Sequence, residues 1–267
     1  MTGAFLKAPP PLAGVYWRLP YELRRASVRL AFPRKYEALQ HLRELDGSGT
    51  AASLKPFIES RCVFIHIPKA AGISVGTGLF GQLTGHHRSI AGYQLILNQH
   101  EFETFFKFTF VRNPWDRLAS AFHFLKQGGL HQIDAQWAAE QLAPYPDFEA
   151  FVTGWVNHKN IHSWFHFRPQ HTYLCLPGQR EPRVDFIGFF ENLPSDYELL
   201  RQRLGTGRPL KAENVTRQRR DYRELYTEEM KEIVARIYRD DIELLGYTFD
   251  NSSLETQLAR RSPPERS

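Results

Sequence analysis

Residues Cys62-Val63-Phe64-Ile65-His66-Ile67-Pro68-Lys69-Ala70-Ala71-Gly72-Ile73-Ser74 decide how this chain folds. The first six form a short, continuous apolar run closed by proline. That is the pattern of a strand buried on both faces, and such strands belong to parallel sheets covered by helices. The small residues after Lys69 can open a helix directly. Strand, tight loop, helix is the geometry of an anion cradle: N–H groups at a helix N-terminus face the anion and the helix dipole favours negative charge, while Lys69 adds a point charge and Ser74 a hydroxyl donor. The loop is not a Walker A motif, because its lysine precedes the glycine by three residues instead of following one directly. On this stretch alone, an ordinary surface turn with a solvated Lys69 stands as the alternative.

Outward from this stretch the same punctuation recurs. Phe106 to Val111 is a second strand, and Val184 to Phe190 a third. Asn113-Pro114 supplies an N-cap and a first-turn proline for an amphipathic helix through Trp115, Leu118, Phe122 and Leu125, ended by Gly128-Gly129. Thr227-Glu228-Glu229 opens a helix that keeps its spacing through Met230, Ile233, Val234, Ile237 and Leu244 until Gly246. The expected fold is α/β, a P-loop-like central parallel sheet flanked by helices. It forms a single domain over residues 59–250, with an irregular N-terminal extension at 1–58 holding one helix near Tyr36 to Leu45. A frayed tail is expected at 251–267.

The chain has 267 residues, 42% hydrophobic and 24% charged, enough for one sizeable core. Its 20 Phe, 11 Tyr and 5 Trp exclude general disorder, and no apolar run reaches the roughly 20 residues of a membrane span. Cys62 and Cys175 cannot build a disulfide framework, so a cytoplasmic location is expected. The net charge of +5 is concentrated: Arg201 to Arg223 contains eight Lys/Arg against Glu213 and Asp221. One basic segment on a neutral body suggests a discrete bound anion and argues against a nucleic-acid surface.

The second strand delivers Arg112 to its carboxyl end, just before the capped helix, where ligands of open α/β sheets bind. Arginine suits bidentate contact with a second phosphate without metal. The alternative is that Arg112 or Arg117 pairs with Asp116, and for Arg117 pairing with a carboxylate is the favoured role. His66 lies in a buried strand and is expected to be a core residue. His158, His162, His166 and His171 have metal-like spacing, but Arg168-Pro169 breaks the helix they would need and no cysteine partner is near, so no zinc site is expected. With Trp155, Trp164 and Tyr173 interleaved, this stretch fits an acceptor pocket or plain core.

Taken together, P-K-x-x-G-x-S at Pro68 to Ser74 and R-N-P-x-x-R-x-x-S at Arg112 to Ser120 resemble the two donor-binding signatures of sulfotransferases that use 3′-phosphoadenosine 5′-phosphosulfate (PAPS). The form here is similar to the carbohydrate branch, with heparan-sulfate 2-O-sulfotransferase and chondroitin- or HNK-1-type enzymes. Arg168-Pro169-Gln170, Phe186 to Leu193 and Asn214-Val215-Thr216 leading to Tyr222 agree with that branch. The resemblance spans residues 61 to 249, departs at Ala70-Ala71, where the family more often has Thr-Gly, and without a membrane anchor points to a soluble, bacterial-type member.

The resemblance implies that the loop Pro68, Lys69, Ala70, Ala71, Gly72, Ile73 and Ser74 holds the 5′-phosphosulfate and that Arg112 and Ser120 hold the 3′-phosphate. Arg217, Arg219 and Arg220 would cover the 3′-phosphate end, and the product would be adenosine 3′,5′-bisphosphate. No metal is implied. Lys69 would stabilise the leaving oxygen, and a histidine, His87 ahead of His86, would take the proton of an acceptor hydroxyl on a saccharide or glycoconjugate. The competing expectations are a P-loop-like small-molecule kinase, against which the missing Walker A pattern counts, and a non-catalytic nucleotide- or nucleic-acid-binding module, for which no signature is present.

Overall fold

The computed structural model describes residues 16–46, 52–210 and 221–261. Its centre is a three-stranded parallel sheet in the order β1 (Cys62–Ile65), β2 (Phe106–Val111), β3 (Phe186–Phe189). Cys62 pairs with Phe106 and Ile65 with Thr109 across the first ladder, and Phe108 with Phe186 and Val111 with Phe189 across the second. β1 is buried at every residue, as its unbroken apolar run requires. Phe64 stacks on Phe108 with ring centres 5.1 Å apart, and a fully buried phenylalanine contributes about 1.5–3 kcal/mol.

The expected strands stand, with trimmed ends. β1 stops at Ile65, whose carbonyl accepts from the Thr109 hydroxyl at 2.8 Å, so His66 and Ile67 are released into the loop. β3 stops at Phe189, whose N–H donates to the buried Asp196 carboxylate at 2.7 Å and turns the chain into a 3₁₀ turn at Phe190–Asn192.

Helices fill the crossovers: α1 (Tyr21–Ala31), α2 (Pro33–His41) and α3 (Lys55–Glu59) precede β1, while α4 (Gly72–Phe80), α5 (Ile90–Ile96) and α6 (Gln99–Thr104) lie between β1 and β2. α7 (Pro114–Lys126), α8 (Gln132–Gln141), α9 (Phe148–Gly154) and α10 (His171–Leu174) lie between β2 and β3. After β3 come α11 (Leu193–Leu204), α12 (Glu228–Ile237), α13 (Arg239–Leu245) and α14 (Leu254–Arg260). α7 begins as its sequence predicts: the Asn113 side chain accepts from Trp115 N–H at 3.0 Å and Pro114 occupies the first turn. Among the described residues, no helix is long and apolar enough to cross a membrane.

Three expectations need correction. The N-terminal extension holds two consecutive helices, α1 and α2, where one was expected. They are docked on α5: Tyr21 Oη donates to Leu97 O at 3.1 Å, Gln40 Nε2 to Leu95 O at 3.1 Å, and Arg43 bridges Glu101 and Ile96 O. The helix expected from Thr227 to Gly246 is two helices, α12 and α13. It breaks at Tyr238, which leaves helical geometry to bury its ring and donate its hydroxyl to Phe167 O at 2.7 Å. The expected frayed tail is ordered through Arg260, because Gln257 caps Leu245 O at 2.7 Å and Arg261 reaches the buried Asp196 at 2.5 Å.

Candidate active site

All three strands end on the same side of one cleft of about 730 Å³. Its lining comes from the loop after β1, from Arg112 after β2, from Phe190 to Pro194 after β3, and from His86 and His87 beyond α4. Carboxyl ends of parallel strands are where α/β folds place ligands. A second, more open hollow of about 710 Å³, beside Lys55, Glu59 and Arg208, holds none of the residues singled out from the sequence.

The loop after β1 is sharply wound. Lys69 and Ala71 both adopt left-handed backbone, with φ of 68° and 63°, a conformation that costs a non-glycine residue about 1–2 kcal/mol. Ala71 is also the N-cap of α4 and offers no capping side chain. The amides of the first helical turn have no intrahelical acceptor, so this start presents main-chain donors to the cleft that Gly72, Ile73 and Ser74 line. Gly72 is fixed by packing: a Cβ there would fall on the imidazole of His66. Gly72→Ala is therefore expected to cost about 1–3 kcal/mol, read as a lower urea midpoint at unchanged slope. An unchanged midpoint would mean that the ring is not wedged there.

His66 is 9% exposed, as expected of a core residue, yet its ring forms part of the cleft floor. It stacks on Phe64 at 5.6 Å and meets His87 edge-on at 4.2 Å. Burial holds it neutral, well below the usual histidine range.

Lys69 lines the cleft with its Nζ 3.8 Å from the centre of the Phe124 ring. Its carbonyl accepts from Arg112 Nη1 at 3.0 Å, which ties the first strand end to the second. Arg112 is 1% exposed and clamped on every side. Its main chain exchanges two hydrogen bonds with the Gln170 amide, at 3.0 and 2.7 Å, and Gln170 N–H donates to Asp241 at 2.6 Å. Its guanidinium lies 4.3 Å over Phe190 and forks onto Asp116, Nε to Oδ2 at 2.7 Å and Nη2 to Oδ1 at 2.5 Å.

The expected pairing of Arg117 with a carboxylate is therefore corrected: Arg112 takes Asp116. Successive helical residues point about 100° apart, so Asp116 faces back to the strand end while Arg117 turns inward. Arg117 donates to three carbonyls, Pro68 O at 3.4 Å, His166 O at 3.2 Å and Arg168 O at 2.5 Å, and so pins the donor loop to the 166–168 segment. Ser120 is half-buried one helical turn beyond Asp116 and lies outside the residues lining the cleft.

His86 is exposed at the cleft mouth with φ 48°, and the half-buried His87 sits deeper. His87 Nδ1 lies 3.2 Å from His66 O. A carbonyl only accepts, so Nδ1 carries the proton and Nε2 keeps its lone pair. Burial, opposed by that hydrogen bond and reinforced by His86 and Lys69, brings its pKa down to about 4. His166 is 6.1 Å away, ring to ring, and burial carries it down to about 2. Glu191 closes one wall: it accepts from Asn113 N–H at 2.7 Å and from the Tyr247 hydroxyl at 3.0 Å, and burial raises its carboxyl above the usual range.

Pro68, Lys69, Ala71, Gly72, Ile73, Ser74, His86, His87 and Arg112 thus meet in one cleft, with Ala70 buried beneath it. Arg217, Arg219 and Arg220 lie outside the described residues, as does Asn214-Val215-Thr216. The flanking parts of the basic window are engaged elsewhere: Arg201 pairs with Glu198, Arg203 lies over Phe106, and Arg223 pairs with Asp221. Asp116, Phe124, Asp134, Phe165 and Phe190 were missed. Only Asp116 left a trace in the sequence, as the possible partner of a neighbouring arginine.

A family model described as the sulfotransferase family matches residues 60–248. No match was found among curated proteins or among solved structures.

Proposed function

The chain belongs to the sulfotransferase family, and on that premise we propose that it transfers a sulfuryl group from PAPS to a hydroxyl of a carbohydrate acceptor, with His87 as general base. One juxtaposition carries this reading: the uncapped start of α4, Lys69 and the Nδ1-protonated His87 share a single cleft.

When bound, the donor supplies the sulfuryl group and leaves as adenosine 3′,5′-bisphosphate. The amides of Gly72, Ile73 and Ser74 hold its 5′-phosphosulfate, as a helix start holds any such anion. Lys69 neutralises the charge that gathers on the leaving oxygen, the task fixed cations perform in phosphoryl transfer. His87 takes the acceptor's proton on Nε2 while Nδ1 keeps its bond to His66 O. The attacking hydroxyl oxygen bonds to sulfur as the bond from sulfur to the phosphate oxygen breaks.

Arg112 has five N–H donors, of which Asp116 and Lys69 O use three. The remaining two, with Ser120 and Arg217, Arg219 and Arg220, are assigned to the 3′-phosphate. No metal is needed for these steps. Phe124 and Phe165 give the acceptor side flat apolar faces beside polar groups, which suits a sugar ring. The buried free thiols Cys62 and Cys175 suit a reducing cytoplasm.

Ligand-dependent melting tests the reading. At 100 times its dissociation constant, adenosine 3′,5′-bisphosphate is expected to add about 2.7 kcal/mol of stability without metal. Stabilisation by ATP with magnesium, and none by the bisphosphate, would replace sulfuryl transfer with the kinase alternative.

A further inference from the structure

We propose that Asp134 and His166 form a subsite for a second hydroxyl of the acceptor, so that the enzyme selects acceptors whose sulfated hydroxyl has a neighbouring one. The proposal rests on the sulfotransferase reading for its acceptor. Its evidence is independent of the donor loop.

Both side chains line the cleft and both are more than nine-tenths buried, Asp134 at 2% and His166 at 5% exposure. Among the described residues, Asp134 Oδ1 and His166 Nδ1 have no hydrogen-bond partner. They face each other at 3.8 Å, too far for a hydrogen bond between them. Neither group is free to swing away. Asp134 sits in the first turn of α8, and its Oδ2 accepts from Leu130 N–H at 3.2 Å and from His131 N–H at 3.4 Å. His166 is wedged between Phe165 and Phe124, with ring centres at 4.1 and 5.1 Å.

Buried polar atoms left unpaired are costly and call for an explanation. A hydroxyl provides one: it has one proton to donate and lone pairs to accept. Its proton fits the carboxylate oxygen, and its oxygen accepts from the Nδ1–H of a neutral His166. A carbonyl cannot donate to Asp134, and an ether cannot either. The base lies next door, since the His87 and His166 rings are 6.1 Å apart. One hydroxyl at His87 and another between Asp134 and His166 describe a polyol.

The test compares myo-inositol with cyclohexanol, six-membered carbocycles that differ in hydroxyl number. Each is titrated into the full chain in the presence of adenosine 3′,5′-bisphosphate while the ring resonances of His166, assigned by their loss in His166→Phe, are followed. Myo-inositol is expected to shift them saturably and cyclohexanol to leave them in place. Asp134→Asn keeps an oxygen for the helix start but can turn an amide donor toward His166, and it is expected to weaken inositol binding at least tenfold. In turnover it should raise the KM for a polyol acceptor more than it lowers kcat. Absence of a saturable shift, an equal response to cyclohexanol, or wild-type inositol binding by Asp134→Asn would overturn the subsite. Stabilisation by the bisphosphate, measured on the same samples, reports separately on the donor site, so the two ideas fail separately.

Discussion

Lys69→Ala is expected to lower turnover by on the order of 10²–10³-fold, the scale on which removal of a single positioned stabilising donor acts, while leaving the protein folded. Lys69 is the lysine that lines the cleft, and it sits beside the helix start that would hold the reacting phosphosulfate. Its left-handed backbone is no harder for alanine than for lysine, since both bear a Cβ. What the fold loses is the ammonium packed 3.8 Å over Phe124, worth about 0.5–1 kcal/mol where solvent reaches it. Donor binding should weaken less than turnover, because the amides of α4 remain. Lys69→Arg separates charge from shape: a planar guanidinium keeps the charge but not the compact ammonium, so it should recover binding better than rate. Initial rates with labelled PAPS, beside calorimetry with the bisphosphate, give both numbers. An alanine variant within tenfold of the parent would show that charge does not develop at this loop.

The donor loop was legible because it is local. Strand, proline, lysine and glycine follow one another within thirteen residues, and each constrains the next. Strand and helix positions were legible for the same reason, and their ends shifted only where a distant group intervened, as Asp196 does at Phe189 and the Phe167 carbonyl at Tyr238. Partnerships across the fold were not legible. Arg112 owes its orientation to Asp116, but also to Gln170 and Asp241, 58 and 129 positions away, and no local pattern marks those. Asp134 looks in sequence like any acidic residue in a first helical turn. That its second oxygen opens into the cleft depends on where α8 packs against the 164–167 segment, a tertiary outcome. Composition misled in one respect: the basic window drew attention to Arg201 and Arg223, which are engaged by carboxylates two or three residues away.

His87→Ala is expected to reduce kcat by about 10²–10⁴-fold, the usual contribution of a positioned general base, with bisphosphate binding retained. The pH profile identifies the ring more sharply than the rate does. A lowered pKa keeps the free base at lower pH, so the acid limb of kcat/KM should lie near pH 4 instead of the ordinary 6.5. The anionic donor beside the ring opposes that shift, because nearby negative charge favours the imidazolium. The limb of kcat should therefore lie above that of kcat/KM, and both limbs should vanish in His87→Ala. Stability moves in the same window and must be measured alongside. His66, His87 and His166 all have depressed pKa values in the folded protein, so as pH falls below 6.5 the unfolded chain binds protons that the folded one refuses. Stability then falls with pH. Activity lost together with the folded signal is unfolding, whereas activity lost while the fold persists is titration of the base. If His87→Ala keeps its rate and acid limb while His86→Ala loses both, the exposed ring at the mouth is the base and the deeper one only supports it.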